Sequence, residues 1–329
     1  MSQHRRILVI ATPGLGRSPA LERAIELARR SGAQVELARF DYHLGIAALA
    51  ALQPAAMLRV QTDYRAQREA ELAAAAVAAG RDGVRVQPRY FWGEPLIDRI
   101  VGVVLHGGYE LVLKDIAEGA AGALTHSSPL DRALARLCPA PLLLVRDRYQ
   151  GKPARILAAV APDHEDAIGL DQQVLGAAQS LARQCEASLH LAYAVPGLPD
   201  GAAVSAWYDE DAVMAAYEAL RLKQRNAFEQ FAERHGVATE HRHLLDGDPA
   251  SEIGGLAHEQ AVDILVVGSV YRRGLRRLLL GSTTEQLLDN ACCDLLVVKP
   301  ADFLDSLARH YHLDSAEALR QHEFWPAEV

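Results

Sequence analysis

The order of elements occurs twice along this chain, and that constrains the fold more than any single motif does. In the first half, apolar periodicity predicts strands over 6–11, 34–40, 84–90, 110–113 and 141–145, separated by helices over 18–30, 54–79, 95–105 and 129–137. The second half repeats the order, with strands over 155–161, 188–193, 237–243, 263–267 and 294–298 and helices over 169–184, 211–235, 250–259 and 283–290. Sequence echoes accompany the repeat: ILVIATP from Ile7 stands against ILAAVAP from Ile156, and GEPLIDRI from Gly93 against GDPASEIG from Gly247. Strands that alternate with helices run parallel, because parallel neighbours need a crossover connection. Each half is therefore predicted to be a doubly wound α/β domain with a five-stranded parallel sheet, over 1–149 and 150–300. The tail 301–329 suits two short amphipathic helices, the second capped by Asp314 or Ser315, that cover an exposed edge or meet a partner subunit.

Half of the residues are apolar, enough for each domain to build its own core without disulfides or metal. A formal charge of -8 argues against a general affinity for nucleic acid, which needs a basic face to displace counterions from phosphates, and leaves only a local basic patch open. Cys138, Cys185, Cys292 and Cys293 show no CxxC spacing and are expected to be reduced thiols, as in a cytoplasmic protein. The basic N-terminus is not expected to be an export signal, because Pro13 and Gly14 interrupt its apolar run, and no segment reaches the roughly 18 apolar residues of a membrane span.

The segment VVGSVYRRGLRRLLLGSTT, from Val266 to Thr284, runs a buried strand into a glycine-bearing loop and then into a helix start. Such a turn offers unpaired backbone N–H groups and the positive end of a helix dipole to an anion. With AVDILVVGS before it and CDLLVVKP after it, this segment resembles the universal stress proteins. GGYELVLKD and RLCPAPLLLVRD in the first half are similar to the degenerate N-terminal domain of that family's tandem two-domain type. The resemblance implies an adenine nucleotide alpha hydrolase-like fold, a strand order of 3-2-1-4-5 in each domain, and two domains paired as a pseudo-dimer; a homodimer is a further candidate. It also implies a site pattern for ATP-binding members: Gly, two residues, Gly, nine residues, Gly, then Ser or Thr, with an Asp ending the first strand.

On that pattern the candidate ligand-binding residues of the second half are Val267, Gly268, Arg272, Gly281, Ser282, Thr283 and Thr284. Tyr271 replaces the middle glycine, adding a ring where the pattern leaves space and resisting a positive φ. Ala161 stands at the aspartate position, with Asp163 two residues on. In the first half Lys114 or Asp115 aligns with Gly268, Ser127 to Pro129 with the Gly-Ser pair, and Thr12 with the aspartate, so no ATP site of the family type is expected there. The Gly14–Gly16 pair lacks the third glycine of a dinucleotide fingerprint and is predicted to be a turn.

No cofactor is firmly indicated; ATP in the C-terminal domain is the candidate. Two explanations stand for the turn. Arg272, Arg273, Arg276 and Arg277 suit an anionic ligand, whereas Ser282 followed by Glu285 reads as a capping box that requires no ligand. His241, His243 and His258, and the tail's His310, His312 and His322, lack the companions of a metal-ligand set, and no metal site is predicted. No Ser-His-Asp arrangement, carboxylate pair or Walker lysine emerges, so no enzyme is predicted. The expected function is a non-enzymatic cytoplasmic stress-response protein with a degenerate ATP site. Its alternatives are nucleotide or anion binding through the C-terminal glycine loop, and an apolar-ligand-binding module.

Overall fold

A computed structural model describes residues 5–12, 14–15, 18–42, 45, 54–80, 83–94, 96–116, 127–146, 151–162, 168–197, 210–269 and 280–324. The chain divides into two compact units, Met1–Lys152 with Phe303–Val329, and Pro153–Asp302.

Unit 1 contains β1 (Arg6–Ile10), α1 (Pro19–Ser31), β2 (Gln34–Asp41), α2 (Pro54–Ala79), β3 (Val86–Trp92), α3 (Leu96–Gly107), β4 (Leu111–Asp115), α4 (Pro129–Leu137) and β5 (Leu142–Val145). Its strands pair in parallel in the order β3-β2-β1-β4-β5. Ile7 to Ile10 are all buried because a parallel sheet is covered on both faces. Helix α1 shows how local sequence sets the frame. Ser18 caps its first turn by accepting from the Leu21 N–H, Pro19 occupies the first helical position, and Gly32 ends it at a left-handed φ of 71°.

Unit 2 contains β6 (Arg155–Ala159), α5 (Ile168–Cys185), β7 (Ser188–Val195), α6 (Glu210–Arg234), β8 (Arg242–Asp246), α7 (Pro249–Glu259), β9 (Ile264–Gly268), α8 (Ser282–Asn290) and β10 (Asp294–Val298). Within it the order is β8-β7-β6-β9-β10, again parallel, so both units have the 3-2-1-4-5 order. Strand β8 begins later than the apolar pattern over 237–243 predicts. Gly236, at φ 67°, ends α6, and a single 3-10 turn, Thr239–His241, takes up the next residues. Two bonds from the Arg242 guanidinium to the Val237 carbonyl, at 3.0 and 2.8 Å, hold that turn closed.

After unit 2 the chain forms α9 (Phe303–His310) and α10 (Ala316–Gln321), which belong to unit 1. Ser315 is the cap of α10, accepting from the Ala318 N–H at 3.1 Å. The Tyr311 hydroxyl donates to Asp98 at 2.7 Å, and a His106 ring nitrogen meets the Arg320 carbonyl at 3.0 Å, fastening this segment to α3. None of the four cysteines forms a disulfide. Among the described residues no helix is long and apolar enough to cross a membrane, and no cluster of histidine, cysteine and carboxylate groups could hold a metal.

Candidate functional site

Sheet register settles which residues of the two units correspond. Gly268 pairs with Val298 and is followed by a bond from the Ser269 N–H to the Val298 carbonyl, 2.8 Å. Asp115 pairs with Val145 and is followed by a bond from the Ile116 N–H to the Val145 carbonyl, also 2.8 Å. Asp115, not Lys114, is therefore the counterpart of Gly268. Both α8 and α4 have nine residues, so Gly281 corresponds to Ser128 and Thr284 to Asp131.

In unit 2, Val267 is buried in β9 and Gly268 ends the strand. Helix α8 starts at Ser282, and Gly281 is its N-cap, with φ -63°, ψ 144° and no side-chain cap. Ser282 is therefore the first helical residue, and the Ser282–Glu285 capping box expected from sequence does not form. A capping serine must precede the helix with extended backbone, and Gly281 takes that position. The Gly281 carbonyl accepts from the Glu285 N–H at 2.9 Å, while the N–H groups of Ser282, Thr283 and Thr284 precede the first intrahelical bond. The buried Thr284 hydroxyl donates to the Gly268 carbonyl at 2.9 Å, tying the helix start to the strand end. Ser282 is exposed and Thr283 half-buried. The structure thus gathers Val267, Gly268, Gly281, Ser282, Thr283 and Thr284 at one turn. Arg272 lies outside the described residues, as do Tyr271, Arg273, Arg276, Arg277 and Asp163.

Two further side chains shape this turn. A Cβ on Gly268 would lie 2.5 Å from Leu170 Cδ2, so the leucine side chain rests against the glycine and covers it. Leu170 is itself buried, on α5. The neighbouring Asp171 reaches the end of the first strand, where its carboxylate accepts from the Ala161 N–H at 3.0 Å. Neither residue is visible as a site component in sequence, because both belong to a helix start separated from the glycine turn by roughly a hundred residues.

Unit 1 resolves the same turn differently. Ser128 caps α4 by accepting from the Asp131 N–H, and the Asp131 carboxylate accepts from the Ser128 N–H at 2.8 Å, a complete capping box. The other Asp131 oxygen lies 2.7 Å from Lys114 Nζ, and the residue is wholly buried. Asp115 accepts from Ser18 Oγ and from the Ala20 N–H, both at 2.7 Å. A carboxylate of the chain thus holds the place at the helix N-terminus that an anionic ligand would take. Between the end of β1, α1, β2 and α2 lies a cavity of about 250 Å³, whose lining includes Leu15, Leu21, Ile25 and Leu37 together with Ser18 and Glu22.

The histidines also differ from expectation. His241 stands on the 3-10 turn rather than on a strand beside His243. His190 of β7 meets both: its Nδ1 is 3.0 Å from His243 Nε2, and its ring centroid is 4.3 Å from that of His241. Burial, and then the neighbouring His241, His243 and Arg155, push His190 down to about 4; burial, then His241, lower His243 as well.

The model of the universal stress protein family matches residues 155–299, the span from β6 past β10. Universal stress protein E of Escherichia coli K12 is 28% identical over 308 residues, covering 92% of this chain and 96% of that protein. Over most of its length the chain is similar to universal stress protein E, and its second unit matches the family's model. Two solved structures share the fold over nearly the whole tandem. A functionally unknown protein from Pseudomonas aeruginosa PAO1 has a TM-score of 0.70 at 24% identity, covering 97% of this chain and 98% of its own. A universal stress protein from Archaeoglobus fulgidus has a TM-score of 0.60 at 15% identity, over 90% and 99%. The α/β fold is thus shared with these structures.

Proposed function

We propose that this protein is a non-catalytic stress-response binding module whose ATP site is degenerate and whose unit 2 retains an anion-binding turn. The observation that carries this reading is the contrast between the two helix starts: α4 is closed by its own Asp131, whereas α8 has Gly281 as its N-cap and no capping side chain among the described residues. Bare N–H groups and the helix dipole favour a phosphate group. The adenosine half of an ATP ligand is disfavoured, because Leu170 rests on Gly268 and Ala161, two residues past the first strand, stands where the site pattern has an aspartate. Isothermal titration with ATP and with tripolyphosphate tests this. Similar weak binding of both is expected, and Gly281→Asp, which supplies a capping carboxylate at a permissive φ, is expected to abolish it. ATP binding far tighter than tripolyphosphate would show that the nucleoside site is intact.

The cavity in unit 1 favours a second reading, an apolar ligand. At about 250 Å³ it falls just below the roughly 300 Å³ at which small-molecule pockets begin, which limits the occupant to a short chain. Native mass spectrometry of freshly purified protein would reveal such a ligand as a co-purifying mass.

A further inference from the structure

Unit 1 keeps space at a helix position that unit 2 fills with an aromatic ring. Helix α2 joins β2 to β3 and α6 joins β7 to β8, and both run to a glycine, Gly80 and Gly236. Matching those glycines sets the buried Leu72 on Phe228 and Ala76 on Ala232, so the buried rows of the two helices coincide. The same register sets Ala75 on Phe231 and Ala79 on His235. Phe231 is buried with its ring centroid 4.6 Å from that of His235, whereas Ala75 and Ala79, with Ala78, line the cavity. Its other apolar walls are Leu21 and Ile25 of α1, Leu37 of β2 and Leu15. Leu15 stands at φ 47°, in the left-handed region that disfavours a bulky side chain.

The polar residues of the lining, Thr12, Ser18 and Glu22, lie just after β1 and at the start of α1. They supply acceptors more than donors. Ser18 Oγ gives its hydrogen to Asp115 at 2.7 Å, and of its two lone pairs one takes the Leu21 N–H. The Glu22 carboxylate only accepts, and the Thr12 hydroxyl serves either way. A ligand head that docks here must therefore donate. An ammonium has three N–H donors and no lone pair, and its bonds to a carboxylate are roughly twice as strong as neutral ones. An anionic head would instead face the carboxylates of Glu22 and Asp115. An apolar cavity of about 150 Å³ holds benzene, so this one suits roughly ten non-hydrogen atoms at most. We propose that unit 1 binds short-chain primary amines, with the ammonium at Thr12, Ser18 and Glu22 and the alkyl chain against Ala75 and Ala79. This rests on the reading of the cavity as a site for a short apolar chain and adds what the head of that chain must be.

Isothermal titration of the full chain near neutral pH with hexylamine, 1-hexanol and hexanoate tests this. Hexylamine is expected to bind once per chain, about tenfold tighter than hexanoate and several-fold tighter than hexanol, as charge-assisted bonds require. Glu22→Gln should bring hexylamine to the affinity of hexanol and leave hexanol unchanged. Ala75→Phe, which copies unit 2, should abolish binding of both with an unchanged urea midpoint; Ala79→Leu gives the same readout should that midpoint fall. Hexanoate or hexanol binding as tightly as hexylamine would overturn the amine head while leaving the apolar cavity in place. Hexylamine binding that survives both Glu22→Gln and the cavity-filling variants would place it elsewhere and overturn the proposal. Binding of none of the three would remove the apolar-ligand reading together with it.

Discussion

At Gly107 a hydrogen stands where any other residue would collide with an aromatic ring: a Cβ there would lie 2.1 Å from Tyr109 Cε2. The ring cannot step aside, because the Tyr109 hydroxyl donates to buried Glu36 at 2.6 Å and the Arg6 guanidinium lies over its face at 4.7 Å while pairing with the same carboxylate. Gly107→Ala is therefore expected to cost about 1–3 kcal/mol, the usual penalty of overpacking, read as a lower urea midpoint with unchanged slope. The His190 cluster makes a different kind of prediction. His190 has a folded value near 4 against an ordinary 6.5, so between those values the unfolded chain binds more protons. Stability should be level above about pH 6.5, fall as the pH drops toward 4 and then level again. His190→Gln should flatten that part of a stability profile measured by urea denaturation across the range.

Among the elements, α9 and α10 bury Phe303, Leu307 and Leu319 and are joined to α3 by polar contacts. Tyr311 is the hinge pin of that attachment: it bonds Asp98, and its ring meets Phe324 edge-on with centroids 5.0 Å apart. Burial, followed by the Asp98 bond, raises the Tyr311 phenol, so it remains a donor throughout the neutral range. Tyr311→Phe keeps the ring and removes the donor, leaving Asp98 without that partner. A loss of about 1–3 kcal/mol is expected, seen as faster amide exchange over 303–321 than elsewhere. What the sequence could and could not show divides along the same lines. Strands such as β1 and β9 were legible because a buried parallel strand is a short unbroken apolar run, and α4 because Ser128 and Pro129 mark its start. The start of β8 was not, because a 3-10 turn can interrupt a run without changing its composition. The Ser282–Glu285 spacing fits a capping box one residue out of register, and only the backbone at Gly281 distinguishes the two. Leu170, Asp171 and His190 became site or cluster members through sheet neighbours and helix starts, which no spacing along the chain encodes.

At the scale of the whole molecule, the duplication produced two copies of one turn with opposite outcomes. The Lys114–Asp131 pair makes the unit 1 turn self-sufficient, because the Asp131 carboxylate already accepts from Lys114 and from the Ser128 N–H that an incoming anion would use. Titration with tripolyphosphate is accordingly expected to saturate at one anion per chain, not two. Asp131→Asn should not open a second site, since the Ser128 cap remains in place; a stoichiometry of two in the unaltered protein would count against the asymmetry. The return of the chain to α3 after Asp302 has a consequence for synthesis. Unit 1 cannot be completed until all of unit 2 has been made. At about 5–20 residues per second, the face of α3 that receives Tyr311 stays bare for roughly ten to forty seconds on the ribosome, an interval in which a chaperone or a second nascent chain could bind where the tail belongs.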